Sequence, residues 1–252
     1  MLRAQNLVVK GRLNVPDLVA EAGTLTVVLG SNGAGKSTLL AALSGLHEVD
    51  DLVLCYQGLD LLSLSAQERA KRLALLTQRQ ALEFDFSVEE VVRMGLHPLS
   101  LSAHEAQLRF EHIVERLDLG ALLQRRYTTL SRGEAQRTQI ARVLMQRCEQ
   151  SGLVLMDEPL TALDLRHQQD VMLLISELKQ QEGHAFILVL HDLNLAAQYG
   201  DQFVLMEQGS LAGVGGSDVL KPELLSRVFE IPIERQLDSQ GRLQFMTGTT
   251  KP

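Results

Sequence analysis

"T24-L-T-V-V-L-G-S-N-G-A-G-K-S-T38" joins an apolar run to a glycine-rich turn, and a helix-like stretch, "LLAALSG", carries on to Gly45. From Gly30 to Thr38 the turn matches G-x-x-x-x-G-K-[ST], which a chain of this length meets by chance on the order of once in a hundred. Gly30, Gly33 and Gly35 let the backbone wrap closely. The N–H groups of Ser31, Asn32, Gly33, Ala34 and Gly35 can then face an anion at a helix start, where the dipole favours negative charge. Lys36 would reach the β- and γ-phosphates, and the Ser37 hydroxyl would ligate Mg2+. The stretch predicts strand, phosphate loop and helix in succession. It therefore predicts an α/β protein that binds a nucleoside triphosphate.

Composition narrows the class. At 252 residues and 45% hydrophobic, the chain can bury a full core, built mainly of Leu, Val, Ile and Ala because aromatics are 4% and Trp is absent. The formal net charge of −7 argues against a nucleic-acid partner. No apolar run approaches the ~18 residues that span a bilayer, and "MLRAQNLVVKGRL" lacks the apolar segment of a secretory signal. Cys55 and Cys148 have no metal-type spacing, so a reducing cytoplasm and ordinary packing are expected for both.

Further strand-length apolar runs lie at 72–78, 152–158, 185–192 and 202–207, each ending abruptly in polar residues. Runs apolar on both faces, alternating with helical stretches, predict a mostly parallel sheet flanked by helices. Ser65-Ala-Gln-Glu68 and Ser102-Ala-His-Glu105 fit capping boxes, and after the second Phe110, Ile113, Val114 and Leu117 form one apolar face. The expected organisation is a nucleotide-binding core from 1–80 and 151–230, an inserted helical subdomain at 81–150, and a short C-terminal extension at 231–252 carrying a small hairpin.

Three strand ends carry chemistry. "L153-V-L-M-D157-E158" sets two carboxylates at the end of a buried strand, Asp157 for Mg2+ and Glu158 as general base toward the attacking water. Gln78 closes another strand, within reach of metal and water, and His191 closes a third, where an imidazole could bond a γ-phosphate. Open α/β sheets bind ligands at such carboxyl ends. The remaining histidines (47, 97, 104, 112, 167, 184) show no zinc-type spacing. No N-K-x-D guanine-reading motif occurs, which favours ATP over GTP.

With "L130-S-R-G-E134" and "T161-A-L-D164" added, the order of motifs resembles the ATP-binding subunit of ABC transporters across essentially the whole chain. The resemblance implies a P-loop NTPase of ABC type. It also implies a head-to-tail homodimer in which each ATP lies between one phosphate loop and Ser131, Arg132, Gly133 and Glu134 of the other chain, with Asp164 beside it. Closure would drive integral membrane permease subunits, docked around Arg79–Phe86, from the cytoplasmic face of the inner membrane, with a periplasmic or extracellular substrate-binding protein upstream. Within the family, "FDFSVEEVVRMGLHP", "ALDLRHQ" and "VLHDLNLAAQYGDQFVLMEQGSLAGVG" are most similar to the haemin-import branch of the haem, iron-siderophore and vitamin B12 group.

Three positions depart from the family pattern. Lys10 precedes Gly11 where an aromatic usually stacks on adenine, leaving Lys10 or Arg12 to lie over the base. Thr161 replaces a Ser, keeping the hydroxyl, and Arg132 replaces the first glycine of the signature, facing either nucleotide or solvent. Siderophore or cobalamin import is the alternative within the family. A soluble ABC-type ATPase acting on nucleic acid or ribosomes, or a P-loop kinase of small metabolites, are the alternatives outside the importers.

Overall fold

The computed structural model describes residues 1–47, 49–78, 85–146 and 152–248. Cys148, most of the expected permease-docking stretch (79–84) and the last four residues lie outside them. The chain runs through β1 (Leu2–Val9), β2 (Leu13–Ala20), β3 (Leu25–Leu29), α1 (Lys36–Leu43), β4 (Val53–Tyr56), β5 (Leu59–Asp60), α2 (Ala66–Ala70) and β6 (Leu73–Leu76). Helices α3 (Val88–Arg93), α4 (Ala103–Arg116) and α5 (Arg132–Met145) follow, with no strand between β6 and the next strand among the described residues. The chain returns through β7 (Leu153–Asp157), α6 (Leu165–Glu182), β8 (Ala185–Val189), α7 (Leu193–Tyr199), β9 (Gln202–Glu207), β10 (Ser210–Gly215) and α8 (Pro222–Phe229). It ends in a separate hairpin of β11 (Ile233–Leu237) and β12 (Leu243–Thr247).

Ten strands form one sheet in the order β5-β4-β1-β2-β10-β9-β3-β8-β7-β6. The block β9-β3-β8-β7-β6 is parallel throughout, as the apolar runs predict. Beyond it, β1 pairs antiparallel with β2 and β4, and β10 with β9, so the whole sheet is mixed. Burial explains the division. Every residue of β3, β7 and β8 is buried, and successive side chains enter two different cores. Val154, Met156, Phe186 and Leu188 pack with α5 and α6 on one face. Leu153, Leu155, Ala185 and Ile187 pack with α1 on the other. The outer strand β1 alternates buried and exposed residues instead, the pattern of a strand with one wet face.

Local signals set the helix ends. Gly45, at φ +72, terminates α1, with Leu46 N–H reaching back to the Ala41 carbonyl (3.0 Å) and Gly45 N–H to that of Ala42 (3.0 Å). The Ser102–Glu105 box is complete, and Ser87–Glu90 forms another at the start of α3. The Ser65–Glu68 box is only half made. Ser65 accepts from Glu68 N–H, but the Glu68 carboxylate turns to Lys71 (2.6 Å) and Arg72 (3.2 Å), because two cations one turn on outbid a single N–H.

Candidate functional site

Because β3, β8, β7 and β6 are neighbours and parallel, their carboxyl ends open on one edge. That edge brings together the phosphate loop, His191, Asp157–Glu158 and Gln78. Gly30 is forced by packing, since a Cβ there would meet the Met206 carbonyl at 2.5 Å. Gly33, at φ +82 with open space around it, is forced by the backbone alone. Gly35, at φ +96, is the N-cap of α1 and supplies no side chain to cap it, so the free N–H groups of the first turn remain available to an anion. Lys36 is buried and donates to the Gly30 (2.8 Å) and Ser31 (2.9 Å) carbonyls. Burial pushes its pKa down, opposed by the charges of Glu158 and Asp157.

Asp157 is 5% exposed. Burial pushes its carboxyl pKa up, against a hydrogen bond from Ser37. Its Oδ1 is buried with no hydrogen-bond partner. An orphaned carboxylate oxygen beside a serine hydroxyl suits a hard dication such as Mg2+, which takes oxygen ligands. The described residues hold no cluster of three or more His, Cys, Asp or Glu able to cage a metal. Further ligands would come from an amide oxygen such as that of Gln78, from phosphate and from water, as is usual for Mg2+.

Glu158 sits at φ +49, a left-handed conformation rare for a non-glycine residue and a local strain of about 1–3 kcal/mol. That kink turns its carboxylate into the cleft, where three groups hold it. His191 Nε2 lies 2.7 Å from Oε1. Gln78 Nε2 donates to Oε2 at 3.2 Å, and Thr161 Oγ1 donates to Oε2 at 3.4 Å. The hydroxyl that Thr161 keeps therefore has a use. Burial raises the Glu158 pKa, but the hydrogen bond and charge of His191, with Gln78 and Lys36, outweigh it and hold the group below the ordinary carboxylate range. A carboxylate kept ionised and aimed into a cleft by weak Oε2 contacts can accept a proton from water.

A cleft of roughly 630 Å3 joins these groups, lined by Asn32, Gly33, Lys36 to Thr38, Gln78 and Glu158. Gly11, Arg12, Gln208 and Gly209 complete its far wall. Arg12 is exposed there and has no ion-pair partner among the described residues, whereas Lys10 does not line the cleft. Gln208 and Gly209 follow the carboxyl end of β9, the last strand of the parallel block. They form the two-residue turn from β9 to β10, both at positive φ, and only the β3–β9 pairing brings them to the phosphate loop. An apolar run ending in Gln-Gly was their one sequence signal.

At the start of α5, Ser131 accepts from Glu134 N–H (3.3 Å) while the Glu134 carboxylate accepts from Ser131 N–H (2.7 Å) and pairs with Arg125 (3.0 Å). Both Glu134 oxygens thus shape the helix start. A Cβ on Gly133 would stand 3.1 Å from the Ala162 carbonyl, so the signature turn abuts the Thr161–Asp164 loop. Arg132 is exposed and borders a second cleft with Gln78, Glu158 and Thr161 of its own chain. Asp164 caps α6, its carboxylate taken by His167 N–H (2.9 Å) and Nδ1 (2.9 Å).

Residues 13–161 match the family model described as ABC transporter, more than half of the chain and all motifs from the phosphate loop through Glu158. The chain belongs to the ABC transporter family. It is an ATPase cassette of that family. It is 41% identical over 231 residues to a hemin import ATP-binding protein of Rhodopseudomonas palustris (strain BisB5), covering 89% of this chain and 87% of that one. A protein of the same name from Rhodococcus jostii (strain RHA1) is 40% identical over 240 residues, covering 92% and 81%. A solved chain described as of a metal-chelate type ABC transporter in an inward-facing conformation superposes with a TM-score of 0.79 at 25% identity, covering 99% of this cassette and 98% of that chain. Another, the ATP-binding subunit of an ABC transporter, gives 0.78 at 24% and shares the fold. No helix of the described cassette is long and apolar enough to cross a membrane.

Proposed function

We propose that this cassette is the ATP-hydrolysing subunit of a haem importer, working as a homodimer on the cytoplasmic face of the membrane beneath integral permease subunits. The single observation that carries the ATPase reading is the convergence of Lys36, Asp157, Glu158, Gln78 and His191 at adjacent parallel strand ends. The names of the relatives support haem as the cargo, delivered through a substrate-binding protein. The chemistry is divided among few groups: Gly30 to Thr38 cradle the phosphates, and Ser37, Asp157 and Gln78 would hold Mg2+. When bound, Mg2+ neutralises charge developing on the phosphoryl oxygens. Glu158 accepts the proton of the attacking water, and His191 holds Glu158 and the γ-phosphate in register. Ser131, Arg132 and Gly133, shaped by Glu134 and with Asp164 alongside, close over the ATP of the partner chain.

Reconstitution with the cognate permease in proteoliposomes tests this. ATP hydrolysis is expected to rise when the binding protein carries haem, and not when ferric siderophore or cobalamin is supplied by its own binding protein. Stimulation by one of those instead would move the cargo assignment and leave the ATPase reading standing.

The base end of the cleft carries a second test. Arg12 faces the nucleotide cleft from beside Gly11, and a guanidinium plane can lie on an adenine ring for about 1 kcal/mol. Arg12→Ala is expected to weaken ATP binding about fivefold and leave tripolyphosphate binding unchanged, with Arg12→Tyr restoring ATP affinity in equilibrium titrations. Equal losses for both ligands would make Arg12 a phosphate contact.

A further inference from the structure

The C-terminal hairpin reaches back to the His191 loop. Asn194, in the first turn of α7, brackets one residue of β12: Phe245 N–H donates to Asn194 Oδ1 at 2.6 Å, and Asn194 Nδ2 donates to the Phe245 carbonyl at 3.1 Å. A side-chain amide engaging both backbone groups of one residue imitates the pairing of a neighbouring strand. His191 stands three residues before Asn194, and Asp192 between them caps α7 through the N–H groups of Asn194 and Leu195. Any shift of that first turn therefore moves the His191 backbone.

The hairpin is built to hold still. Its tip is tied by Asp238, which accepts from the N–H groups of Gln240 (2.8 Å) and Arg242 (2.9 Å) and from Arg242 Nε (2.7 Å). Its base is tied to α8, where Ser226 Oγ accepts from Ile233 N–H at 2.8 Å. Ile233 and Phe245 are sunk into the larger core. An isolated two-stranded hairpin is marginal in water, and here packing and these bonds supply the rigidity. A small cavity of about 170 Å3 lies between hairpin and site, lined by His191, Asn194, Phe229, Ile233, Phe245 and Met246. The His191 side chain is 40% exposed, so besides its contact with Glu158 its placement depends on where its backbone is held.

We infer that Asn194 is a positioning residue for His191, with the C-terminal hairpin as the fixed body it leans on. This rests on the proposed role of His191 at the γ-phosphate, 2.7 Å from Glu158. The hairpin thereby becomes part of the catalytic apparatus without touching ATP.

A double-mutant cycle on the full chain tests it, with kcat and KM for ATP measured for Asn194→Ala, His191→Ala and the pair. Asn194→Ala is expected to lower kcat about tenfold at unchanged KM, as small misplacements of a reacting group do, and to lower it no further when His191 is already Ala. Asn194→Asp keeps the acceptor for Phe245 N–H and the size of the side chain but loses the donor. It is expected to fall between, and it decides the matter should Asn194→Ala lose its secondary structure by circular dichroism. An unchanged kcat, a raised KM, or an undiminished loss in the His191→Ala background overturns the inference. If His191→Ala itself hydrolyses ATP normally, the role of His191 fails first, and a loss on Asn194→Ala would then have another origin.

Discussion

Glu158→Gln should bind ATP as well as the wild-type cassette and hydrolyse it at least about a hundredfold more slowly, the lower bound for loss of a positioned general base. The substitution changes little else. Glutamine has the same size and can occupy the same left-handed backbone position, and its carbonyl can still accept from Gln78 and Thr161, which now reach Oε2 at 3.2 and 3.4 Å. What disappears is the proton acceptor and the charged oxygen that lies 2.7 Å from His191 Nε2. Lys36, which carries the proposed phosphate contact, sits on the Gly30 and Ser31 carbonyls rather than on Glu158, so binding has no reason to fall. With binding intact and chemistry blocked, the closed dimer should accumulate with ATP, visible as a doubled mass by light scattering. Single-turnover hydrolysis within a fewfold of wild type would remove Glu158 as the base. Asp157 could not take its place if its buried carboxylate serves the metal as proposed.

The parts of this molecule that were legible in the sequence share one property: their signal is local. The phosphate loop is nine consecutive residues, and its glycines are fixed by contacts and dihedrals that the motif itself encodes. The parallel strands were legible because burial on both faces writes an unbroken apolar run. Strands β1 and β2 were not, since each shows alternating burial and so reads as half polar. Their place at the sheet's antiparallel half depends on pairings such as Leu2 with Ala20 that no short window contains. Glu68 illustrates the same limit at a helix end, where the capping pattern was present but Lys71 and Arg72 drew its carboxylate away. In the site, strand ends predicted Gln78, Glu158 and His191 because adjacent parallel strands deliver their ends to one edge. Gln208 sits at such an end too, just past β9, without a residue type that marks it, and Asn194 lies beyond the strand end, in the first turn of α7. One enters the cleft through β9 pairing with β3, the other acts through Phe245, 51 residues along the chain.

Lys36→Ala should fail at the earlier step, losing ATP affinity by about two to three orders of magnitude. Two charge-assisted hydrogen bonds to phosphate, at roughly 1.5–3 kcal/mol each, set that scale. The variant also disturbs the resting site, because the ammonium is buried and neutralises part of the field of Asp157 and Glu158. Its removal leaves the Gly30 and Ser31 carbonyls without their donor, a cost of about 1–3 kcal/mol that a lowered thermal midpoint would record. Lys36→Arg separates the two effects. It restores the charge, but a planar guanidinium is too broad for a space that holds a point-like ammonium between two carbonyls, so affinity should remain low. Calorimetric titration with ATP decides the outcome. Affinity within about threefold of wild type for Lys36→Ala would mean that the loop's backbone N–H groups alone hold the phosphates. Lys36 would then be a structural pin for Gly30 and Ser31, and the anion site would belong to the helix start of α1 rather than to any side chain.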